Sequence, residues 1–133
     1  MDIALISINY TKLKIEFAGA NNPLWIIRDN EVIKIHGDKF PIGAFVGEDL
    51  QQFTNHEWEL QKNDCVYIFT DGFADQFGGP KGKKFKYKQL EELLLEHHRK
   101  PLDEQKEIYL KTINDWIGEL QQIDDILIIG IRI

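Results

Sequence analysis

The chain has 133 residues, 43% of them hydrophobic, with 22 acidic against 16 basic residues and a formal charge of −6. That length suits one domain rather than two, and the composition can fill a core, which excludes a disordered or collagen-like chain. The acid excess excludes a surface built to attract nucleic acid or anionic lipid.

The N-terminus, MDIALISINYTK, lacks a basic start followed by an apolar run and a small-residue cleavage site, so no signal peptide is expected. Residues 2–9 cluster Ile3, Ala4, Leu5, Ile6 and Ile8, and residues 12–18 alternate with Leu13, Ile15 and Phe17 on one face. The polar turn Tyr10-Thr11-Lys12 joins the two into a β-hairpin. After the turn-rich Ala18–Pro23, Leu24–Arg28 and Glu31–His36 form a second hairpin around Asp29-Asn30. Residues 37–50, with Pro41, Gly43 and Gly47, read as a loop crossing between sheets, and residues 56–60 as a short strand. Lys62-Asn63-Asp64 is a turn. Cys65–Thr70 is a nearly unbroken apolar run, the pattern of a strand buried on both faces.

That strand stops at Asp71-Gly72, and the stretch from Gly78 to Lys84 is loop chemistry. Two amphipathic helices follow: Leu90, Leu93, Leu94 and His97 share one face of the first, and Tyr109, Ile113, Trp116, Ile117 and Leu120 one face of the second. Asp103 and Glu104 suit the first turn of the second helix, and Gly118 its C-terminal end. Ile126–Ile131 is a second doubly buried strand. No apolar run nears the ~18 residues of a membrane helix. Cys65 is the sole cysteine, so it forms no internal disulfide and no Cys-Cys metal site. This fits a reducing cytoplasm. Strands, then helices, then one strand predict an α+β layered domain spanning residues 1–133.

Two acidic positions carry the chemistry. Asp71 ends one buried strand, and Asp124 and Asp125 begin the other. If those strands are antiparallel neighbours, ~4.8 Å apart, their acidic ends meet at one sheet edge. Carboxylates so gathered are costly unless a hard cation such as Mg²⁺ or Mn²⁺ joins them. Gly72 lets backbone and water approach closely. Asp64 lies at the far end of its strand, roughly 23 Å away at ~3.3 Å per residue, and is excluded. The plainer alternative is that Asp71-Gly72 is only a turn and Asp124-Asp125 only a helix-to-strand loop.

The run Ile68-Phe69-Thr70-Asp71-Gly72-Phe73-Ala74-Asp75 resembles the Thr/Ser-Asp-Gly motif of SpoIIE/RsbU-type phosphatases, a bacterial branch of the metal-dependent PPM serine/threonine phosphatases. Gln122–Ile129 resembles their closing Asp-Asp motif, Phe17–Leu24 their Ala-Gly-His-x-Pro turn, and Phe40-Pro41-Ile42-Gly43 their Pro-Leu/Ile-Gly loop. The four motifs stand in family order over nearly the whole chain. The resemblance implies a PPM-like antiparallel β-sandwich with two helices on one outer face. It implies that Asp71 and Asp124 bind metal with Asp125 beside them, and that the backbone of Gly72 lies near the ions. In the family, two Mn²⁺ or Mg²⁺ ions activate a water that attacks a phosphoserine or phosphothreonine phosphorus without a covalent enzyme intermediate. The substrate so implied is a phosphoprotein, an anti-sigma-factor antagonist in a partner-switching pathway.

The match starts inside the family's domain. The family's Gly-Asp-x-x-Asp and Asp-x-x-Gly-His-Gly motifs, which bridge the metals, have no counterpart, and Asp2 lacks that context. The fold is thus expected to be incomplete at the N-terminus, the chain alone to show little or no turnover, and an uncovered apolar sheet face to draw the chain into a homo-oligomer. Ala20 replaces the family histidine, leaving Asn21 or Asn22 as phosphate donors, and Asp75 stands where the family often has a longer Glu.

Gly78–Lys84 falls one residue short of a nucleotide phosphate loop and lacks its Ser/Thr. It reads as a flap near the cleft, with Lys81, Lys83 and Lys84 attracting a phosphoprotein or simply solvated. His97, His98 and Arg99 suit a helix C-terminus. His36 and His56 are isolated, and Trp25, Trp58 and Trp116 read as core or interface. The rivals to an enzyme are a non-catalytic phosphatase-like interaction module and a simple divalent-ion-binding domain.

Overall fold

A computed structural model describes residues 1–43 and 51–133. Of the crossing loop expected over residues 37–50, Gly47 lies outside the described residues.

The first hairpin pairs β1 (Ile3–Asn9) with β2 (Lys14–Ala20). Its turn runs one residue further than the polar run suggested, over residues 10–13. The Asn9 side chain accepts the Lys12 N–H at 2.9 Å, and Leu13 takes a positive φ of 48°. Leu13 therefore leaves the strand, while Ile15 and Phe17 are buried as expected. β3 (Leu24–Arg28) and β4 (Glu31–Ile35) flank Asp29-Asn30, whose φ values of 48° and 64° give the primed turn that matches strand twist. β5 (His56–Glu59) returns to pair with β2, leaving Trp58 exposed on that edge strand rather than in a core. β6 (Cys65–Phe69) then enters the second sheet.

Local pattern missed two small elements. Gly72–Asp75 is a short helix, α1, and the expected loop is a minimal hairpin of β7 (Phe77–Gly78) and β8 (Lys83–Lys84). Helices α2 (Tyr87–His97) and α3 (Leu102–Ile117) follow, then β9 (Ile128–Arg132). Gly118, with φ 57°, ends α3, so Leu120 falls beyond the helix and is exposed. His98 is not the charged helix cap that position implied. It is buried, its Nε2 lies 3.0 Å from Asn30 Oδ1, and burial, followed by Arg99 and Arg132, pushes its pKa down.

The sheets run β1-β2-β5 and β4-β3-β6-β9, all neighbours antiparallel. They pack as a sandwich through Ile15 and Phe17 of β2 against Leu24, Ile26 and Val66. Alternate residues of the second sheet, Trp25, Ile27, Tyr67 and Phe69, face the helices and meet Phe73, Leu90, Leu94, Tyr109 and Ile113. Each such side chain contributes about 1.5–3 kcal/mol on burial. The order is sheet, sheet, helices, and the doubly buried β3 and β6 form its middle.

Buried polar groups pin the layers. Gln105, 1% exposed, accepts from the Tyr67 and Tyr109 hydroxyls and donates to the His98 and Lys100 carbonyls at the α2–α3 turn. At the other end of β6, Asp64 is 2% exposed and takes Nε and Nη2 of Arg28 at 3.0 and 2.7 Å. Asp64 is a structural ion-pair residue, consistent with its exclusion from the site.

The packing is one-sided. Side chains on β2, β3 and β6 are buried, whereas Ala4, Ile6 and Ile8 of β1 and Ile128 and Ile131 of β9 are only partly covered. Leu5, Leu127 and Ile129 are largely exposed, and an apolar cleft of about 500 Å³ opens between α3 and β9. Strands β1 and β9 end their sheets with one edge unpaired among the described residues. The rest of the outer face of the first sheet is polar, with Ser7, Glu16 and Glu57 exposed there, so the open apolar surface lies along the β1 and β9 margins. No described helix is long and apolar enough to cross a membrane.

Candidate metal and phosphoryl site

The ladders bring six chain segments to one end of the sandwich. β6 ends and β9 begins there, with Phe69 opposite Ile128. β1 begins and β2 ends there, with Ile3 opposite Ala20, so Asp2 faces Asn21. β3 begins there and β4 ends there, with Leu24 opposite Ile35. Asp71 and Asp124 therefore meet just beyond the ends of β6 and β9, and the Asp2–Asn21 pair lies at the same end of the other sheet.

Thr70 clasps the two acidic arms. Its N–H donates to the Leu127 carbonyl at 3.1 Å, its hydroxyl donates to the Asp125 carbonyl at 2.7 Å, and that hydroxyl accepts the Leu127 N–H at 3.1 Å. Gly72 completes the approach, since a Cβ there would lie 2.2 Å from the Asp125 carbonyl oxygen. The Asp75 N–H donates to the Asp71 carbonyl at 2.9 Å, so α1 holds the Asp71 backbone. The Asp124 carboxylate accepts the N–H of Asp125 at 2.8 Å.

Burial, then the charges of Asp124 and Asp75, push the Asp71 pKa above the ordinary carboxylate range, with a smaller contribution from Asp2. Uncompensated negative charge with only oxygen donors is the setting a hard divalent cation relieves. The donor type fits Mn²⁺ or Mg²⁺. The number is incomplete: among the described residues no three His, Cys, Asp or Glu side chains converge into a metal cage. Asp71 and Asp124 are brought together, whereas Asp125 is tied to the site through its backbone and its residue is exposed.

Asn21 sits where the chain crosses from the first sheet to the second. It has φ 61°, its N–H donates to the Asp38 carbonyl, and its Nδ2 donates to Asp2 Oδ1 at 2.8 Å. Asn22 is buried, and its carbonyl packs where a Cβ on Gly19 or Gly37 would lie, at 2.4 and 2.7 Å. Lys84 is paired with Asp75 at 3.0 Å, which keeps it at the rim beside Asp71's neighbour. Lys83 is exposed, and strand alternation turns it to the opposite face of the hairpin.

Two site neighbours escaped the sequence reading. Asp2 reaches Asn21 only through the β1–β2 register, although the hairpin pattern contained that pairing. Tyr87, whose phenol is pushed up by burial and then by Asp71 and Asp75, comes from the first turn of α2, and nothing local marks it.

This sandwich with helices on one face is the architecture of PP2C-type (PPM) phosphatase domains. The profile of the family described as Stage II sporulation protein E (SpoIIE) matches residues 1–133, and the chain belongs to that family. It is similar to the SiaA-PP2C domain of Pseudomonas aeruginosa, with 33% identity and a TM-score of 0.90 over 99% of this chain and 51% of that one. The manganese-presoaked phosphatase domain of the cell fate determinant SpoIIE from Bacillus subtilis superposes with a TM-score of 0.72 at 19% identity, covering 100% of this chain and 56% of that one. The RsbU and RsbW domains of a Mycobacterium tuberculosis protein give a TM-score of 0.74 at 16% identity, over 98% of this chain and 35% of that one. The chain thus spans about half the length of the phosphatase domains it matches. No curated protein matches it at a significant level.

The raised Asp71 pKa has a testable sign. Its charged form is disfavoured in the folded chain, so folding loses stability as pH rises from the ordinary aspartate value through the raised one. Asp71→Asn is expected to raise the melting temperature of the metal-free chain by a few degrees at pH 7. That gain should fade as the pH is lowered below about 4, near the unfolded aspartate pKa. Melting curves at several pH values check it, and a gain independent of pH would count against the charge-crowding explanation.

Proposed function

We propose that this chain is the C-terminal portion of a metal-dependent protein serine/threonine phosphatase. In this reading Asp71 and Asp124, with Asp125 beside them, hold Mn²⁺ or Mg²⁺, and the Gly72 backbone lies against the ions. When bound, the ions supply an activated water for phosphoester hydrolysis and neutralise phosphoryl charge. Asn21 and Lys84, at the rim of the site, contact the phosphoprotein, while Lys83 on the other face of the hairpin adds only positive charge and buried Asn22 shapes the turn that holds Asn21. The carrying observation is the meeting of Asp71 and Asp124 from antiparallel β6 and β9, with the Asp124 charge raising the Asp71 pKa.

The substrate we propose is a phosphoserine protein of a cytoplasmic signalling pathway, an anti-sigma-factor antagonist. Support for that choice is family membership, and support for the compartment is the free buried Cys65. Electron paramagnetic resonance should detect weak Mn²⁺ binding that is lost in Asp71→Asn and in Asp124→Asn. Binding unchanged in both variants would remove the reading. The chain alone should hydrolyse a phosphoserine peptide little or not at all with Mn²⁺, because Mg²⁺-type ions need more oxygens than these arms provide. Robust turnover abolished by Asp71→Asn would show the described residues to be sufficient.

The incomplete donor set favours a second reading, a phosphatase-like module that binds a partner without turnover. Phosphopeptide binding that needs neither Mn²⁺ nor Asp71 would select it. In either case we propose self-association through the open apolar margin, measured as a dimer or larger species by light scattering at high micromolar concentration. A monodisperse monomer there would exclude it.

A further inference from the structure

Gln76 follows α1 directly and is fully buried, with 0% of its surface exposed. Both side-chain N–H donors and the side-chain oxygen are engaged. Nε2 donates to the Phe77 carbonyl at 3.0 Å and to the Gln121 carbonyl at 2.9 Å, and Oε1 accepts the Ile123 N–H at 3.4 Å. Its backbone carbonyl accepts Trp116 Nε1 at 3.0 Å and the Phe85 N–H at 2.9 Å. One residue therefore touches α1, the β7–β8 hairpin, the end of α3 and the segment just before Asp124.

The geometry points to Gln76 as a positioning residue whose buried carboxamide sets where the Asp124 arm sits relative to the Asp71 arm. Residues 121–127 carry Asp124 and are irregular, so no sheet ladder fixes their first half. Thr70 and Gly72 hold the far half, at Asp125 and Leu127. The near half is held by Gln76 through Gln121 and Ile123. The two carboxylates that meet at the site are thus on segments bridged twice, once on each side of Asp124.

The chemistry demands glutamine. A glutamate of equal length has no donors for the Phe77 and Gln121 carbonyls and would bury a charge. A methionine of similar shape leaves two carbonyls and one N–H unpaired. An asparagine keeps the groups but is one methylene too short to reach both partners. Trp116 adds a coupling, because the Gly79 N–H donates to the Trp116 carbonyl at 2.8 Å and a Cβ on Gly78 would lie 1.9 Å from that oxygen. The hairpin that carries Lys84 is latched to the same hub.

This inference rests on the proposed metal reading, and its test separates the two. The full chain and its Gln76→Met and Gln76→Asn variants are titrated with Mn²⁺ alone by electron paramagnetic resonance. Amide hydrogen exchange is followed in parallel at Ile123 and Leu127. Gln76→Met is expected to weaken Mn²⁺ binding by about tenfold or more and to deprotect Ile123, while Leu127, held by Thr70, stays protected. Gln76→Asn should fall between it and the parent, and it carries the test if Gln76→Met fails to fold by circular dichroism. Parental Mn²⁺ affinity in a folded variant with a deprotected Ile123 would overturn the positioning role, as would an Ile123 amide that stays protected. If the parent binds no Mn²⁺ or binds it equally well in Asp71→Asn, the metal reading fails instead. The exchange pattern at Ile123 and Leu127 then decides alone whether Gln76 holds the Asp124 arm.

Discussion

Arg28→Met should lower the unfolding free energy by about 3 kcal/mol, the cost of stranding a buried charge. Asp64 is 2% exposed, and both its oxygens face the Arg28 guanidinium. Without that partner the carboxylate keeps only the Gln61 N–H, at 2.8 Å. Asp64 also anchors the C-terminal end of β9, because its carbonyl accepts the Ile133 N–H at 3.0 Å. Replacing both partners, as Arg28→Met with Asp64→Leu, should recover much of the loss, since an apolar pair of similar volume avoids the desolvation cost. Urea denaturation of the single and double variants checks both statements. A single variant as stable as the parent would show that Asp64 is solvated in solution.

Gly72→Ala is the second large effect expected, and it joins stability to the site. The added methyl would lie 2.2 Å from the Asp125 carbonyl oxygen, 2.9 Å from its carbon and 3.2 Å from Ile126 Cγ1. Two of these are backbone atoms held by Thr70, so neither side can yield without separating the acidic arms. The cost should be about 3 kcal/mol, the upper end for overpacking, with Mn²⁺ binding lost as the arms part. Gly130→Ala is the contrast. Its methyl would meet Tyr67 ring atoms at 3.1 and 3.3 Å, a side chain that can shift slightly. The pair of variants, melted and titrated with Mn²⁺, separates general crowding from damage to the site. Equal effects of the two would contradict the close backbone approach at Gly72.

What was legible in the sequence was what depends on local period. β3, β4 and β6, the Asp29-Asn30 turn and the buried faces of α2 and α3 follow from side-chain alternation and helical spacing. The meeting of Asp71 with Asp124 was also legible, because two doubly apolar runs with acids at opposite ends have few ways to pair. The short helix α1 and the β7–β8 hairpin were not: neither is long enough to show a period, whereas four-residue β5 was marked by its flanking turns. Groups placed by distant register escaped too. Asp2 lies 19 positions from Asn21, and Gln76 and Gln105 look like ordinary polar residues until the folded chain surrounds them with carbonyls.

The unpaired margin of β9 has a consequence for how the molecule behaves in crowded solution. The antiparallel ladder turns the N–H and C=O of Ile129 and Ile131 towards β6, leaving those of Ile128, Gly130 and Arg132 pointing outwards. No proline or lysine guards that strand, and its one charged side chain, Arg132, is folded back onto the His98 and Lys100 carbonyls. Natural sheets blunt such borders to avoid accretion of foreign strands. Among the described residues this border is unpaired, so it offers a place where a further strand, from this protein or from a second copy, can add edge to edge.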